Sequence, residues 1–417
     1  MMTNRKRRKG LTVASALLGG VLVLSACSGG SDASADSGSG SSTEAKVDEA
    51  AAKKASDATI RISPKDGSDN VSINNGAAVT VSKGTLTQVT MTTAAGAPVD
   101  GAISADKTSW KPNNQLERST KYKLKAVAKD SAGRDAYENA SFTTVSPANS
   151  FLGYFTPENG STVGVGMPVS INFDKAIANK AAVQKGITVS TTSGQEVACH
   201  WFNDKRMDCR PDKYWQSGAT VTMKMALDGV EGAKGVYGVQ QKTVSFKIGR
   251  NQITYVDAKA KQMKVTRDGK TVKTVPVSAG APENPTYGGI MVMSEKYEKT
   301  RMNGATVGFT DANGKSSYDI KDVPHAIRLT TSGTFIHGNY WGAKSIFGSV
   351  NTSHGCVGMS DTKGGKDKGT PGYWYYQNSI VGDVVVMQNT GDKTVAPDNG
   401  LNGWNMDWAK WKAGSAV

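Results

Sequence analysis

Residues 59–249 carry an internal repeat, and a repeat restricts the fold to two copies of one supersecondary plan. Ser63-Pro64-Lys65-Asp66-Gly67 recurs as Thr156-Pro157-Glu158-Asn159-Gly160, and Trp110-Lys111-Pro112 recurs as Cys209-Arg210-Pro211. Residues 121–127 and 221–225 alternate apolar and polar side chains, the period-2 pattern of a strand with one face buried. Each copy closes on another strand, at 141–145 and 244–248. Two copies of about 90–100 residues, with many short strands and turn signals, predict two immunoglobulin-like β-sandwiches, 59–148 and 149–249.

The second copy holds Cys199 and Cys209. Residues 197–202 and 206–210 flank the polar turn Asn203-Asp204-Lys205, which places the two cysteines in mirror positions about Asp204. Both would face each other across a hairpin. An oxidising compartment then favours a disulfide, and a reducing one leaves two partly buried thiols.

A new unit starts at 250. Residues 253–256 and 263–266 read as hairpin strands, with Arg267-Asp268-Gly269-Lys270 as the next turn and 274–280 continuing the sheet. Residues 281–318 are rich in Gly, Pro, Asn and Ser, too long for an idle connection, and are expected to form a lid or hairpin flap. Residues 381–387 read as a buried strand. The Trp-rich tail, 393–417, is expected to pack on the unit 250–392, with short helices near 372–378 and 405–412. The fold class is thus mainly β.

The chemistry concentrates in residues 335–359, FIHGNYWGAKSIFGSVNTSHGCVGM, which contain two of the four histidines, His337 and His354, and Cys356. A thiol titrates at about 8.5, so it needs a nearby base to act as a nucleophile at neutral pH. His337 is the candidate base. Gly355, lacking a Cβ, lets the chain bend sharply beside the sulfur, so that the N–H groups of Gly355 and Cys356 can point at a developing oxyanion.

His337-Gly338 followed by Ser353-His354-Gly355-Cys356 resembles the signature of the L,D-transpeptidases, the YkuD-type cysteine enzymes of bacterial cell walls. The resemblance covers roughly 250–417, and the tail Gly403-Trp404-Asn405-Met406-Asp407-Trp408-Ala409-Lys410-Trp411 is similar to the actinobacterial branch. One departure stands out: the family usually carries Asn or Arg two residues after the cysteine, and this chain carries Gly358, so a substrate-binding side chain is missing or replaced there.

The resemblance implies an acyl transfer on peptidoglycan. Cys356 would attack the third-residue carbonyl of a tetrapeptide stem and release D-alanine. A diaminopimelate amine of a second stem would then take the acyl group in a 3→3 cross-link. His337 would move the protons, with the Gly338 carbonyl fixing its tautomer. Ser353 and His354 would shape the turn, and Tyr318, Met302 and Trp341 are expected to line the pocket under the flap. No cofactor or metal is implied. β-Lactams, carbapenems especially, would be covalent inhibitors. A cysteine carboxypeptidase that trims stems and a non-catalytic wall-binding lipoprotein remain as alternatives. Papain-like wall peptidases place the cysteine before the histidine, the reverse of the order here.

The N-terminus reads as an export signal. Residues 5–9 are Arg-Lys-Arg-Arg-Lys, residues 11–24 are apolar but too short to span a bilayer comfortably, and Leu24-Ser25-Ala26-Cys27 resembles a lipobox whose Cys27 is lipidated. An ordinary signal peptide with an incidental cysteine is the alternative. With Cys27 on lipid and Cys356 in catalysis, Cys199 and Cys209 are the remaining pair. Residues 28–58 are Ser-, Gly-, Ala- and Asp-rich and predict a disordered tether. The signal (1–27) holds five basic and no acidic residues and the tether a net −3, so about +12 of the chain's +14 falls on the folded remainder. That balance suits an anionic cell wall, and no nucleic-acid motif accompanies it. The expected location is the outer face of the cytoplasmic membrane, anchored by lipid and facing the wall, with the sandwiches spacing the catalytic unit from the membrane.

Overall fold

A computed structural model describes residues 55–310 and 312–417. The expected signal with Cys27, and the tether as far as residue 54, lie outside the described residues. Both sandwiches follow one plan. In the first, Thr59–Ser63, Ala78–Ser82, Ser109–Pro112 and Gly101–Ile103 form one sheet in that spatial order; Ser68–Val71, Asp135–Thr144, Lys121–Lys129, Thr85–Thr93 and Pro98–Val99 form the other. In the second, Gly153–Thr156, Val169–Phe173, Arg206–Pro211 and Val197–Trp201 form one sheet, and Thr162–Val163, Gln241–Ile248, Thr220–Ala226 and Ile187–Thr191 form its partner. The orders correspond, apart from the additional edge strand Pro98–Val99 of the first copy, and each copy has a short strand paired parallel with its last one. The alternation seen in the sequence sends Tyr122, Leu124 and Ala126 into the first core and Val221, Met223 and Met225 into the second.

Two local expectations change. The second copy contains a helix, Lys180–Lys185, capped by the Asn179 side chain, with no counterpart in the first. Residues 55–58 belong to the first sandwich rather than to the tether. Ala58 is buried, the Asp57 N–H donates to Asp130 at 3.0 Å, and the Arg134 guanidinium pairs with the Asp57 carboxylate at 2.6 Å. In the second copy Cys199 stands directly opposite Cys209, and the two form a disulfide.

The third unit is built on nine strands: β1 Gln252–Asp257, β2 Gln262–Arg267, β3 Lys270–Ser278, β4 Gly289–Val292, β5 Glu295–Asn303, β6 Asp319–Arg328, β7 Phe335–Asn339, β8 Val357–Ser360 and β9 Val384–Gln388. In space they run β4-β9-β1-β2-β3-β8-β7-β6-β5. β3 joins the two halves: residues 270–276 pair with β2, and Val277 and Ser278 pair with β8. Met263, Val265, Val277, Met291, Ile327, Ile336, Val357 and Met359 fill the core between the halves. The helix Pro371–Gln377, capped by Thr370, adds Tyr375, whose hydroxyl bonds Thr254 Oγ1 at 2.9 Å. The segment 281–318 is not all flap. β4 lies within it, and Met291, Val292 and Met293 are fully buried. Their apolar side chains keep this stretch in the sheet. Only the β5–β6 hairpin, with its tip at 304–318, projects.

The tail also differs from expectation. It does not pack on the catalytic unit alone; its tryptophans go mainly to the second sandwich. Trp411 is fully buried against His200 and Phe202, and its Nε1–H donates to the Ala198 carbonyl at 2.9 Å. The Arg210 guanidinium lies over the rings of Trp404, Trp408 and Trp411 and donates to the Met406 carbonyl at 2.7 Å. The catalytic unit is held by asparagines: Asn402 accepts from the Val292 N–H and Asn405 from the Ile290 N–H. Trp404 donates back to Gly166 at 2.7 Å. The tail therefore straps the second sandwich to the catalytic unit. Direct bonds from Gly164 N–H to Val381 O and from Gly166 N–H to Gly382 O, 2.8 and 2.9 Å, add to the junction.

Candidate active site

β7 and β8 are neighbours and run parallel, with His337 opposite Gly358. Side chains two apart on a strand share a face, so His337 and Asn339 project together from β7. Cys356 immediately precedes β8. The turn that delivers it is closed by Ser353, whose Oγ donates to the Cys356 carbonyl at 2.5 Å and accepts the Gly355 N–H at 3.1 Å. Gly355 has φ +111°, a conformation glycine adopts without steric cost. This geometry corrects one expectation: the Gly355 N–H is already used by Ser353. Among the described residues the Cys356 N–H has no protein acceptor, which leaves it as the free oxyanion donor of the two.

His337 is buried, and its Nδ1 lies 2.9 Å from the Gly338 carbonyl. A carbonyl only accepts, so Nδ1 carries the proton and Nε2 is the free base. Trp341 stacks on the imidazole, with centroids 5.5 Å apart and planes 15° apart, and holds its orientation. Burial pushes the His337 pKa down, with the Gly338 carbonyl and Asp361 opposing that shift. Burial pushes the half-buried Cys356 thiol up to about 11. At neutral pH both groups are therefore uncharged, a thiol beside an imidazole rather than a preformed ion pair. The thiol rests against the Gly333 carbonyl, 3.6 Å away.

These groups open on a cavity of about 230 Å³ lined by Ser278, Met302, Tyr318, Ile320, His337, Asn339, Trp341, Thr352, Ser353, His354, Cys356 and Gly358. Met302, Tyr318 and Trp341 thus stand at the pocket. Tyr318 comes from the flap, and burial together with the nearby Cys356 pushes its phenol up to about 12, so it stays protonated. His354 has a different part from the one expected. Its exposed ring meets Phe309 and Tyr318, with centroids 5.3 and 4.9 Å away, so it docks the flap rather than shaping the turn. At Gly358 φ is not positive, and an added Cβ would meet only ordinary contacts, Asn339 Cβ and Nδ2 at 3.5 Å.

Sequence reasoning missed several residues. Asn339 was accessible, being two positions from His337 on the same strand face, and Ile320 lies two positions after Tyr318 at the start of β6. Ser278 and Thr352 carried no signal. A second buried pair, His325 Nδ1 to Asp361 Oδ2 at 2.7 Å, also went unforeseen. A Cβ on Gly338 would lie 2.2 Å from that carboxylate, so Asp361 packs directly beneath the residue that orients His337.

The L,D-transpeptidase catalytic domain family matches residues 251–387, and the bacterial Ig domain family matches 68–231, across both sandwiches. L,D-transpeptidase 2 of Mycobacterium tuberculosis (strain CDC 1551 / Oshkosh) is 33% identical over 357 residues, which is 86% of this chain and 85% of that protein. L,D-transpeptidase 5 of M. tuberculosis (strain ATCC 25618 / H37Rv) is 30% identical over 346 residues, 81% of this chain and 73% of that one. The solved structure of the L,D-transpeptidase LdtMt1 in complex with imipenem, 26% identical, covers 58% of this chain and 100% of its own, with a TM-score of 0.47. Identity at this level across most of both chains, with the catalytic-domain match lying over the sheet that carries His337 and Cys356, makes this chain a member of the L,D-transpeptidase family of acyltransferases.

Proposed function

We propose that the protein forms 3→3 cross-links between peptidoglycan stems through a thioester on Cys356. The observation that carries this reading is that His337, with Nδ1 tied to Gly338 O, and Cys356, just before the neighbouring strand, line one pocket. The thiol proton passes to His337 Nε2 as sulfur attacks the third-residue carbonyl of a tetrapeptide stem. The Cys356 N–H receives the developing oxyanion. The C–N bond then breaks, His337 returns the proton to the leaving amine, and D-alanine departs. A diaminopimelate amine of a second stem attacks the thioester and gives its proton to His337, and the thiol is restored. The flap, docked on His354, limits water and favours the amine as acceptor. No cofactor is needed for these steps.

β-Lactams are strained acyl donors for the same thiol, and carbapenems are expected to leave a stable adduct. The lipobox reading of Cys27 places the protein on the outer face of the cytoplasmic membrane, facing the wall, and the Cys199–Cys209 disulfide suits an oxidising compartment. Intact-mass measurement with a carbapenem tests the acylation. One adduct per chain, absent from Cys356→Ala, is expected; an adduct that persists in Cys356→Ala would assign the nucleophile elsewhere.

A further inference from the structure

Asn339 lies in the pocket, and only half of its carboxamide has a role in the fold. Oδ1 accepts the Trp341 and Gly342 N–H groups at 3.1 and 2.8 Å. Two backbone donors on one atom fix which end is oxygen, so Nδ2 is the other end. Among the described residues Nδ2 has no acceptor. It sits 3.5 Å from where a Cβ on Gly358 would be, beside the bare floor that glycine leaves. Capping the 340–342 loop requires an acceptor only, and an aspartate would do it equally well. The capping role therefore does not account for the amide nitrogen.

The position of that nitrogen is informative. Asn339 follows His337 by two residues on β7, so it stands about 7 Å further along the same face, about two residue steps of an extended peptide from the histidine. A group with two N–H donors and no acceptor left over pairs with an oxygen, not with an ammonium. We propose that Asn339 is a specificity-determining residue whose Nδ2 donates to a carbonyl or carboxylate oxygen of the donor stem, in the space that Gly358 leaves open. This rests on the acyl-donor reading above and adds to it the recognition of one acceptor group.

Asn339→Asp separates the two halves of the side chain, since it keeps the loop cap and removes the donors. The purified protein is assayed for D-alanine release from a tetrapeptide stem, with KM and kcat determined separately. Iodoacetamide alkylation of Cys356 reports whether the strand face is intact. The expected result is a KM raised about tenfold or more, the loss of one hydrogen bond with repulsion added, while the alkylation rate stays within twofold of wild type. Repeating the assay with stems whose carboxylates are amidated identifies the oxygen: a much smaller penalty means a carboxylate, an equal one a backbone carbonyl. Wild-type turnover with Asn339→Asp unchanged in KM overturns this proposal alone. So does an altered alkylation rate that accounts for the whole loss. A wild-type protein that releases no D-alanine overturns both this proposal and the function it rests on.

Discussion

The resting state of the thiol is open to direct test. With Cys356 pushed up to about 11, its thiolate fraction at pH 7.5 is about 0.03%, against about 10% for an ordinary thiol at about 8.5. The more basic thiolate is intrinsically more nucleophilic, which recovers about a factor of ten over 2.5 units. Alkylation of the free enzyme by iodoacetamide should therefore run about 30-fold slower than that of a small free thiol at pH 7.5. It should climb close to tenfold per pH unit from 7 to 10. His337→Ala should leave that profile within about threefold, because the uncharged imidazole does not stabilise a thiolate in the free enzyme. The same variant should slow acylation by substrate about 10²–10⁴-fold, because the proton must move when the carbonyl is attacked. A rate plateau from pH 6 to 9 that disappears in His337→Ala would refute the argument, since it would mean a preformed thiolate–imidazolium pair.

Three further outcomes follow from the structure. Gly358→Asn should fold as wild type, because its Cβ fits at 3.5 Å from Asn339, but should raise the donor KM about two- to tenfold, because its side chain enters the space into which Asn339 Nδ2 donates; an unchanged or lowered KM in a well-folded variant counts against this. Trp411→Ala should cost about 3–5 kcal/mol in denaturant titration and loosen hydrogen exchange in residues 393–417, because the side chain is fully buried between His200, Phe202 and Arg210; a loss under about 1 kcal/mol would show that the strap is dispensable. Cys27→Ala should release or misprocess a protein that otherwise fractionates with membrane, and a correctly processed, membrane-bound variant would remove the lipid anchor from the account.

What could be read from the sequence was what repeats or alternates. The sandwiches follow from period-2 strands such as Lys121–Lys129 and Thr220–Ala226, whose inward residues stay inward in the structure. The hairpin with Cys199 opposite Cys209 follows from symmetry about one polar turn. The site was legible where chemistry is rare, at His337 and Cys356. Long-range partners were not legible. Nothing local in Trp411 says that it will seek Arg210, some 200 residues earlier in the chain, and the tail was expected to stay on its own domain. Composition also misled: the Gly-, Pro- and Asn-rich stretch after 281 hides Met291–Met293, whose burial is decided by the neighbouring strand β9. The engagement of the Gly355 N–H by Ser353 needs three-dimensional geometry, because the same four residues could equally leave that donor free.

The most direct test of the account is the fate of the acyl group. The purified protein is incubated with a disaccharide-tetrapeptide as both donor and acceptor, and the products are resolved by mass spectrometry. The account predicts a 3→3 linked dimer with one D-alanine released per cross-link, both lost in Cys356→Ala. Tripeptide with no dimer at high acceptor concentration would contradict it and make the protein a carboxypeptidase; no turnover and no adduct would leave a wall-binding lipoprotein.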